Sequence, residues 1–292
     1  MKRSTTSEKI LTIINVIVLG ILGFLSLYPF IYIASISLSG IAEASKIGFH
    51  LYPENVTFES YKMVLKSGMF YKQYFNTIVR TVGSTTLALL VTSLYAYPLS
   101  RREMPNKKFF INFALFTMLF GGGAIPTYLN MRSLGLIDNF LVLILPSAIS
   151  AYNFIIIKSF FEGIPQSLIE SAQVDGANQF TILFKIVYPI SLPVLCTVGL
   201  WVAVSNWNAW YDAMIYINTE DKQVVQNLLR KLIMETNSEF VDKGIVSTDV
   251  LNYSSETIKA ATTMTIIVPI LCVYPFIQKY FVKGVTLGAV KG

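Results

Sequence analysis

Six stretches of this chain contain no Asp, Glu, Lys or Arg: Ile10–Ala42, Thr81–Ser100, Phe109–Met131, Asn139–Ile157, Ile186–Tyr211 and Ala260–Gln278. They run for 33, 20, 23, 19, 26 and 19 residues. A helix rising 1.5 Å per residue needs about 20 residues to cross a hydrocarbon layer of roughly 30 Å. Buried helices of a water-soluble protein account for one or two such runs, not six. Only 14% of the residues are charged, against about 25% in soluble domains, so too few polar side chains exist to cover a water-facing surface. The fold class is an all-α membrane protein with six transmembrane helices.

The first stretch follows Lys2 and Arg3 and invites comparison with a secretory signal. Its apolar part exceeds the 7–15 residues of such a signal's core, so it reads as a retained first span. Basic residues set the orientation, because they collect in short cytoplasmic segments. Lys2, Arg3 and Lys9 precede the first span, and Arg101, Arg102, Lys107 and Lys108 crowd the second connection. Placing both inside puts residues 1–9, 100–108, 158–185 and 279–292 in the cytoplasm, with 12 basic and 5 acidic residues; the remainder has 11 and 12. Both termini are then cytoplasmic.

Eight of the eleven prolines fall in the spans: Pro29, Pro98, Pro126, Pro146, Pro189, Pro193, Pro269 and Pro275. Each removes a backbone donor and crowds the preceding turn, which predicts a bend or break in every span. No ionisable side chain sits in mid-span; Arg80 and Asp212 lie at edges. Ion-coupled carriers keep such a group in the membrane, so the energy source is expected on another chain.

Between the fourth and fifth spans lies a cytoplasmic segment, Ile164 to Asn178. Pro165 suits the first position of a helix. Helical spacing puts Leu168, Ala172 and Asp175 on one side, and Gly176 is placed to end the helix through a positive φ. A second amphipathic piece follows, to Pro189. The prediction is a short two-part helix held against the membrane face and shaped for a groove in a soluble partner.

Glu170-Ser171-Ala172, then Asp175-Gly176-Ala177, then Ile186-Val187-Tyr188-Pro189 resembles the "EAA" loop of membrane subunits of binding-protein-dependent ABC importers. The departures are Ser171 at the pattern's second position, an alanine, and Tyr188 where it has leucine. The carboxyl end, Gln278 to Gly292, and the run Leu134-Gly135-Leu136-Ile137-Asp138-Asn139 are similar to the carbohydrate-uptake branch, which includes the second membrane subunit of the maltose importer. Within that branch the chain is most similar to subunits for complex polysaccharide or oligosaccharide uptake.

The resemblance implies a type I ABC importer permease fold in one polytopic domain, 1–292. Residues 1–74 would form the first span and an external loop. Residues 75–282 would form the permease core, with the coupling loop at about 162–189, and 283–292 a cytoplasmic tail. It also implies that the segment docks on a cytoplasmic ATPase through Glu170, Ser171, Ala172, Asp175, Gly176 and Ala177. Glu170 would anchor the docked end and Gly176 give the turn. Gln278, Lys279 and Lys283 would bring the tail to the ATPase. The external loop 212–259 would face a substrate-binding protein. The implied assembly has a second, different membrane chain, two ATPase subunits and an extracytoplasmic binding protein, in a bacterial cytoplasmic membrane. The imported substrate would be a carbohydrate, an oligosaccharide above all.

What is missing agrees with that reading. No G-x(4)-G-K-[ST] phosphate loop occurs, so ATP is expected on partner subunits and the chain itself needs no cofactor. Gly121-Gly122-Gly123 lacks the lysine and reads as a helix break within the third span. Cys196 and Cys272 lie in apolar runs, without metal-ligand spacing, as small core residues. His50 has no second ligand nearby and reads as a solvated loop residue. The net charge of +6 forms no basic stripe between aromatics, which argues against nucleic acid.

The fifth span ends in Asn206-Trp207-Asn208-Ala209-Trp210. Flat aromatic faces beside amides suit a sugar, and Asn206 and Trp210, four apart, would share a helix face. An aromatic belt at the membrane interface explains the same residues. Competing functions are a self-sufficient secondary carrier, an importer for a non-sugar substrate, and a receptor module; the last would need an output domain that the sequence does not contain.

Overall fold

A computed structural model describes residues 6–44, 46, 48, 50–234 and 255–289, the last helix being described in backbone alone from 276 onward. The described residues form helices joined by turns, in two compact units: Met1–Phe70 with Leu229–Val268, and Tyr71–Leu228 with Pro269–Gly292.

The first unit begins with α1 (Thr6–Ser37), apolar on every side. Leu11, Val16 and Leu19 are all at least 60% exposed. A helix with no polar face needs an apolar medium around it, and α1 finds that medium in the bilayer rather than within its own chain. The short α2 (Ile41–Ala44) and α3 (Glu59–Lys66) follow. Ser37 and Tyr61 share a hydroxyl hydrogen bond of 2.8 Å, and the Thr57 N–H donates to the Leu38 carbonyl. Burial opposes ionisation of Glu43, but the N–H groups of Glu54 and Asn55, Ser39 and Lys46 outweigh it and hold this carboxyl below its usual range. His50 is not solvated as expected. It is 8% exposed, donates from Nε2 to the Lys46 carbonyl at 2.8 Å, and stands edge-on to Tyr32.

The second unit holds most of α4 (Gly68–Ser100), then α5 (Lys107–Leu119) and α6 (Ala124–Ser133). Two 3₁₀ turns, Phe140–Leu143 and Leu145–Ser147, lead into α7 (Ala151–Glu162) and α8 (Gln166–Val174). After α8 the chain runs through α9 (Gln179–Ile182), a π-helical turn (Leu183–Val187) and α10 (Tyr188–Ile190) into α11 (Leu192–Asn208). After α11 come α12 (Tyr211–Tyr216), a 3₁₀ turn (Glu220–Lys222) and α13 (Val225–Met234), which carries over into the first unit. α14 (Ser255–Ala289) likewise begins in the first unit and continues in the second from Pro269.

Three of these helices are long and apolar enough to span a membrane, and six spans result when each bent pair counts as one. α5 and α6 meet at 116°, the Phe140–Ser147 turns and α7 at 45°, and the Gln179–Ile190 run and α11 at 84°. Of the expected bends and breaks at proline, outright breaks occur in three of the six spans. α1, α4 and α14 continue through Pro29, Pro98, Pro269 and Pro275 as single helices. Each proline there removes one rung of the backbone ladder, which neighbouring helices can offset. The break after α5 falls where the glycine run predicts it, with Gly123 at φ +82°. Cys196 is half-buried as a core cysteine should be, whereas Cys272 is exposed on α14.

The main core of the second unit gathers around the carboxyl ends of α4 and α7. Tyr97 and Leu99 of α4, Phe154, Ile157 and Phe161 of α7, and Ile182, Leu183 and Val187 form one buried cluster with Ile169 and Ala172 of α8.

Candidate functional site

The segment 164–190 is built outward from that cluster. Ile164 anchors it, and Pro165, extended at ψ 127°, precedes rather than opens the helix. On α8, Ile169 (1% exposed) and Ala172 (8%) turn inward. Glu170, Ser171 and Asp175 face out, as does Leu168. The expected face of Leu168, Ala172 and Asp175 is thus corrected: Ile169 takes the buried place, three residues before Ala172 on the same stripe. Leu168 and Val174, 88% exposed, leave apolar surface outside. The Ser171 hydroxyl donates to the Ser167 carbonyl at 2.8 Å, a local bond that leaves the helix surface nearly as an alanine would.

The end of α8 is a complete Schellman turn. The Ala177 N–H donates to Ala172 and the Gly176 N–H to Gln173, with Gly176 at φ +80°. Both bonds cap carbonyls that a helix end leaves open, and the left-handed residue favours glycine. Asn178 then caps α9, its side-chain oxygen accepting from the Thr181 N–H at 2.8 Å. From there the chain is helical to Ile190 and bends by 84° into α11. Tyr97 ties this segment to α4, its hydroxyl donating to Gln179 Oε1 at 2.9 Å, while the Arg101 guanidinium lies over the Tyr97 ring. Nearby, Glu162 accepts from Lys107 and Lys158, each at 2.8 Å.

Gln278, Lys279 and Lys283 fall on the later part of α14, where the backbone is helical; their side chains lie outside the described residues, as do residues 235–254 of the external loop.

The aromatic-amide set ending the fifth span does not assemble as expected. α11 stops at Asn208 and Ala209 is extended, so Asn206 and Trp210 share no helix face. Asn206 and Asn208 donate back to their own helix, at the Val202 and Val204 carbonyls. Trp210 packs beside Tyr211. Trp207 alone of the four lines a cavity of about 530 Å³, between α4, α11 and Pro269–Val273, with Leu89, Leu195 and Val204. The surface its walls expose is almost wholly apolar, with the Thr81 and Thr85 hydroxyls buried behind it.

A polar network around the amino-terminal half of α4 escaped sequence reasoning. Asp138, at φ +57°, accepts from the Asn218 and Thr219 N–H groups at 3.0 and 2.9 Å and from the Thr219 hydroxyl at 2.7 Å. Lys222 adds 3.0 Å to the carboxylate and 2.5 Å to the Asp138 carbonyl. The Thr219 backbone and hydroxyl, then Lys222, hold this carboxyl well below the usual carboxylate range. Arg80, its side chain 3% exposed, pairs with Asp212 and donates to the Ala209 carbonyl at 3.1 Å. Gln223 donates to the Ala213 and Ile217 carbonyls, and Asn227 donates to Gln223. A signal existed: Gln73, Asn76, Thr77, Arg80 and Ser84 recur at helical spacing in an otherwise apolar span.

A polytopic helical protein whose short capped helix leads into a bent span fits a membrane component of a transporter. The chain belongs to the family of binding-protein-dependent transport system inner membrane components, which it matches over residues 3–287. It is 40% identical over 278 residues to a polygalacturonan/rhamnogalacturonan transport system permease protein of Bacillus subtilis, covering 93% of this chain and 97% of that one. It is 36% identical over 294 residues to Protein LplC of the same organism, 99% and 97% covered. Among solved structures, it is similar to a chain of a bacterial ABC transporter involved in the import of the acidic polysaccharide alginate. That match has a TM-score of 0.89 and 36% identity, over 96% of this chain and 100% of that chain. The permease identity sets aside the self-sufficient carrier and the receptor, and catalysis is not this chain's task.

Proposed function

We propose that this chain forms half of the membrane pathway of an ABC importer for a carbohydrate, an oligosaccharide above all, and couples that pathway to a separate ATPase. The carrying observation is α8: a helix pinned inside by Ile169 and Ala172, presenting Glu170, Ser171 and Asp175 outward, and closed by the Gly176 turn. Its outward face would enter a cleft on the ATPase, with Ala177 completing the turn and Gln278, Lys279 and Lys283 reaching the same partner. The assembly would contain a different second membrane chain, two ATPase subunits that hold the ATP, and an extracytoplasmic binding protein. Both termini would be cytoplasmic. The names of the relatives, a polygalacturonan/rhamnogalacturonan permease and an alginate importer, support the sugar class. The apolar cavity at Trp207 argues that sugar hydroxyls are met elsewhere, on the partner chain or the binding protein.

Deleting the ATPase subunit in cells and following uptake of labelled oligosaccharides tests the reading. Abolished uptake, restored by the ATPase gene, is expected. Uptake that persists without the ATPase contradicts the coupling, and ATP-dependent uptake of a non-sugar alone contradicts the substrate class.

A further inference from the structure

Three spans of the second unit are broken, by 116°, 45° and 84°, whereas α4 continues unbroken to Ser100. Its two ends hold different parts of the machine. Toward the amino end, successive turns send polar side chains into the 209–225 segment. Lys72 reaches Asp221 at 2.9 Å. Asn76 donates to the Asp221 and Gln223 carbonyls at 2.7 and 3.0 Å. Thr77 Oγ1 accepts from the Val225 N–H at 3.0 Å, and Arg80 holds Ala209 and Asp212. At the carboxyl end, Tyr97 is 5% exposed, bonds Gln179 of the coupling segment and sits in the core that anchors Ile169 and Ala172. From Asn76 to Tyr97 the helix covers about 32 Å.

A continuous hydrogen-bonded helix with directed polar joints at both ends moves as a body, while broken helices absorb displacement at their breaks. We propose that α4 is the strut that keeps the extracytoplasmic platform in step with the cytoplasmic coupling segment, with Asn76 and Tyr97 as positioning residues at its two joints. This rests on the importer reading above.

The test uses the whole complex in proteoliposomes, with Cys196→Ala and Cys272→Ala as background. Asn218→Cys reports on the platform through its labelling rate by a membrane-impermeant maleimide, with and without trapping by ATP and orthovanadate. Tyr97→Phe and Asn76→Ala each delete hydrogen bonds, and each is expected to reduce the nucleotide-dependent change in rate by about 2- to 10-fold. Sites this far apart ordinarily act independently. The strut instead predicts that the double variant is no worse than the more affected single one. Multiplying effects, or singles that leave the change intact, overturn the proposal. Should a joint variant fail to assemble, Leu90→Gly against Leu90→Ala serves, since Leu90 is 38% exposed and lies between the joints, fourteen residues after Asn76 and seven before Tyr97. Loss with glycine alone supports the strut and equal behaviour overturns it. A wild-type complex whose labelling ignores nucleotide sinks the importer reading instead, before any variant is compared.

Discussion

The two ends of the second unit are held together by opposite chemistries. At the end proposed to be cytoplasmic, the segment from α8 to α10 is fixed mainly by apolar burial, with Ile169, Ile182, Leu183 and Val187 each at most 2% exposed, and side-chain hydrogen bonds at Tyr97 and Tyr188 join it to α4. At the end proposed to be extracytoplasmic, the 209–225 segment is fixed by directed bonds: Asp138 to Thr219 and Lys222, Arg80 to Asp212, Asn76 and Thr77 to backbone groups. Apolar burial is non-directional, which suits the proposed role of α8 as a helix that shifts under load from a partner. A network of paired charges and satisfied carbonyls has one good geometry, which suits a platform that keeps its shape.

That contrast breaks first if the cytoplasmic end does not depend on burial. Ile169→Asp puts an unpaired carboxylate into the core and should destabilise by on the order of 4 kcal/mol or more. Thermal unfolding in detergent reads this directly, and an unchanged melting profile contradicts the packing. Next comes the platform. Asp212→Ala strands the buried Arg80 guanidinium and should lower stability by about 3 kcal/mol, near the smaller end of the range because Asp212 is 31% exposed. Arg80→Met with Asp212→Leu should recover much of that loss.

Asp138 gives the comparison a pH axis. Its carboxyl is held below the ordinary value, so its contribution is fully present above the unfolded value of about 4 and fades as pH falls below it. The wild type should therefore lose platform protection, measured by proteolysis at Asn218–Lys222, on acidification below about pH 4. Asp138→Asn should be cut readily even at neutral pH and lose that acid response. The smallest effect belongs to Ser171→Ala, within about 0.5 kcal/mol, because its hydroxyl serves only its own helix. A large loss of stability there would mean that Ser171 does more than cap a local carbonyl.

The same contrast explains what the sequence made legible. Six spans follow from runs without charge, and the coupling segment announces itself because its parts are neighbours: Glu170, Gly176 and Pro189 lie within twenty residues. Gly176 at the helix end needs only local chemistry to be foreseen. The platform joins residues more than a hundred positions apart, Lys72 with Asp221 and Arg80 with Asp212, and no local pattern pairs them. Helical spacing also misled where tertiary packing decides. Ile169 rather than Leu168 turned inward, and Trp210 left the face of Asn206 because α11 ends first. Pro98 and Pro29 predicted a bend or a break, and both helices run on through them, since one missing rung does not interrupt an otherwise bonded helix.

The most direct test of the central claim is a contact measurement on the intact complex. Glu170→Cys, in a background of Cys196→Ala and Cys272→Ala, is treated with a short bifunctional thiol reagent against cysteines placed along the ATPase cleft. Cross-linking to the ATPase, in a complex that still transports, is the predicted result. A transport-active complex in which no position from 166 to 177 cross-links, while another cytoplasmic segment does, contradicts the account.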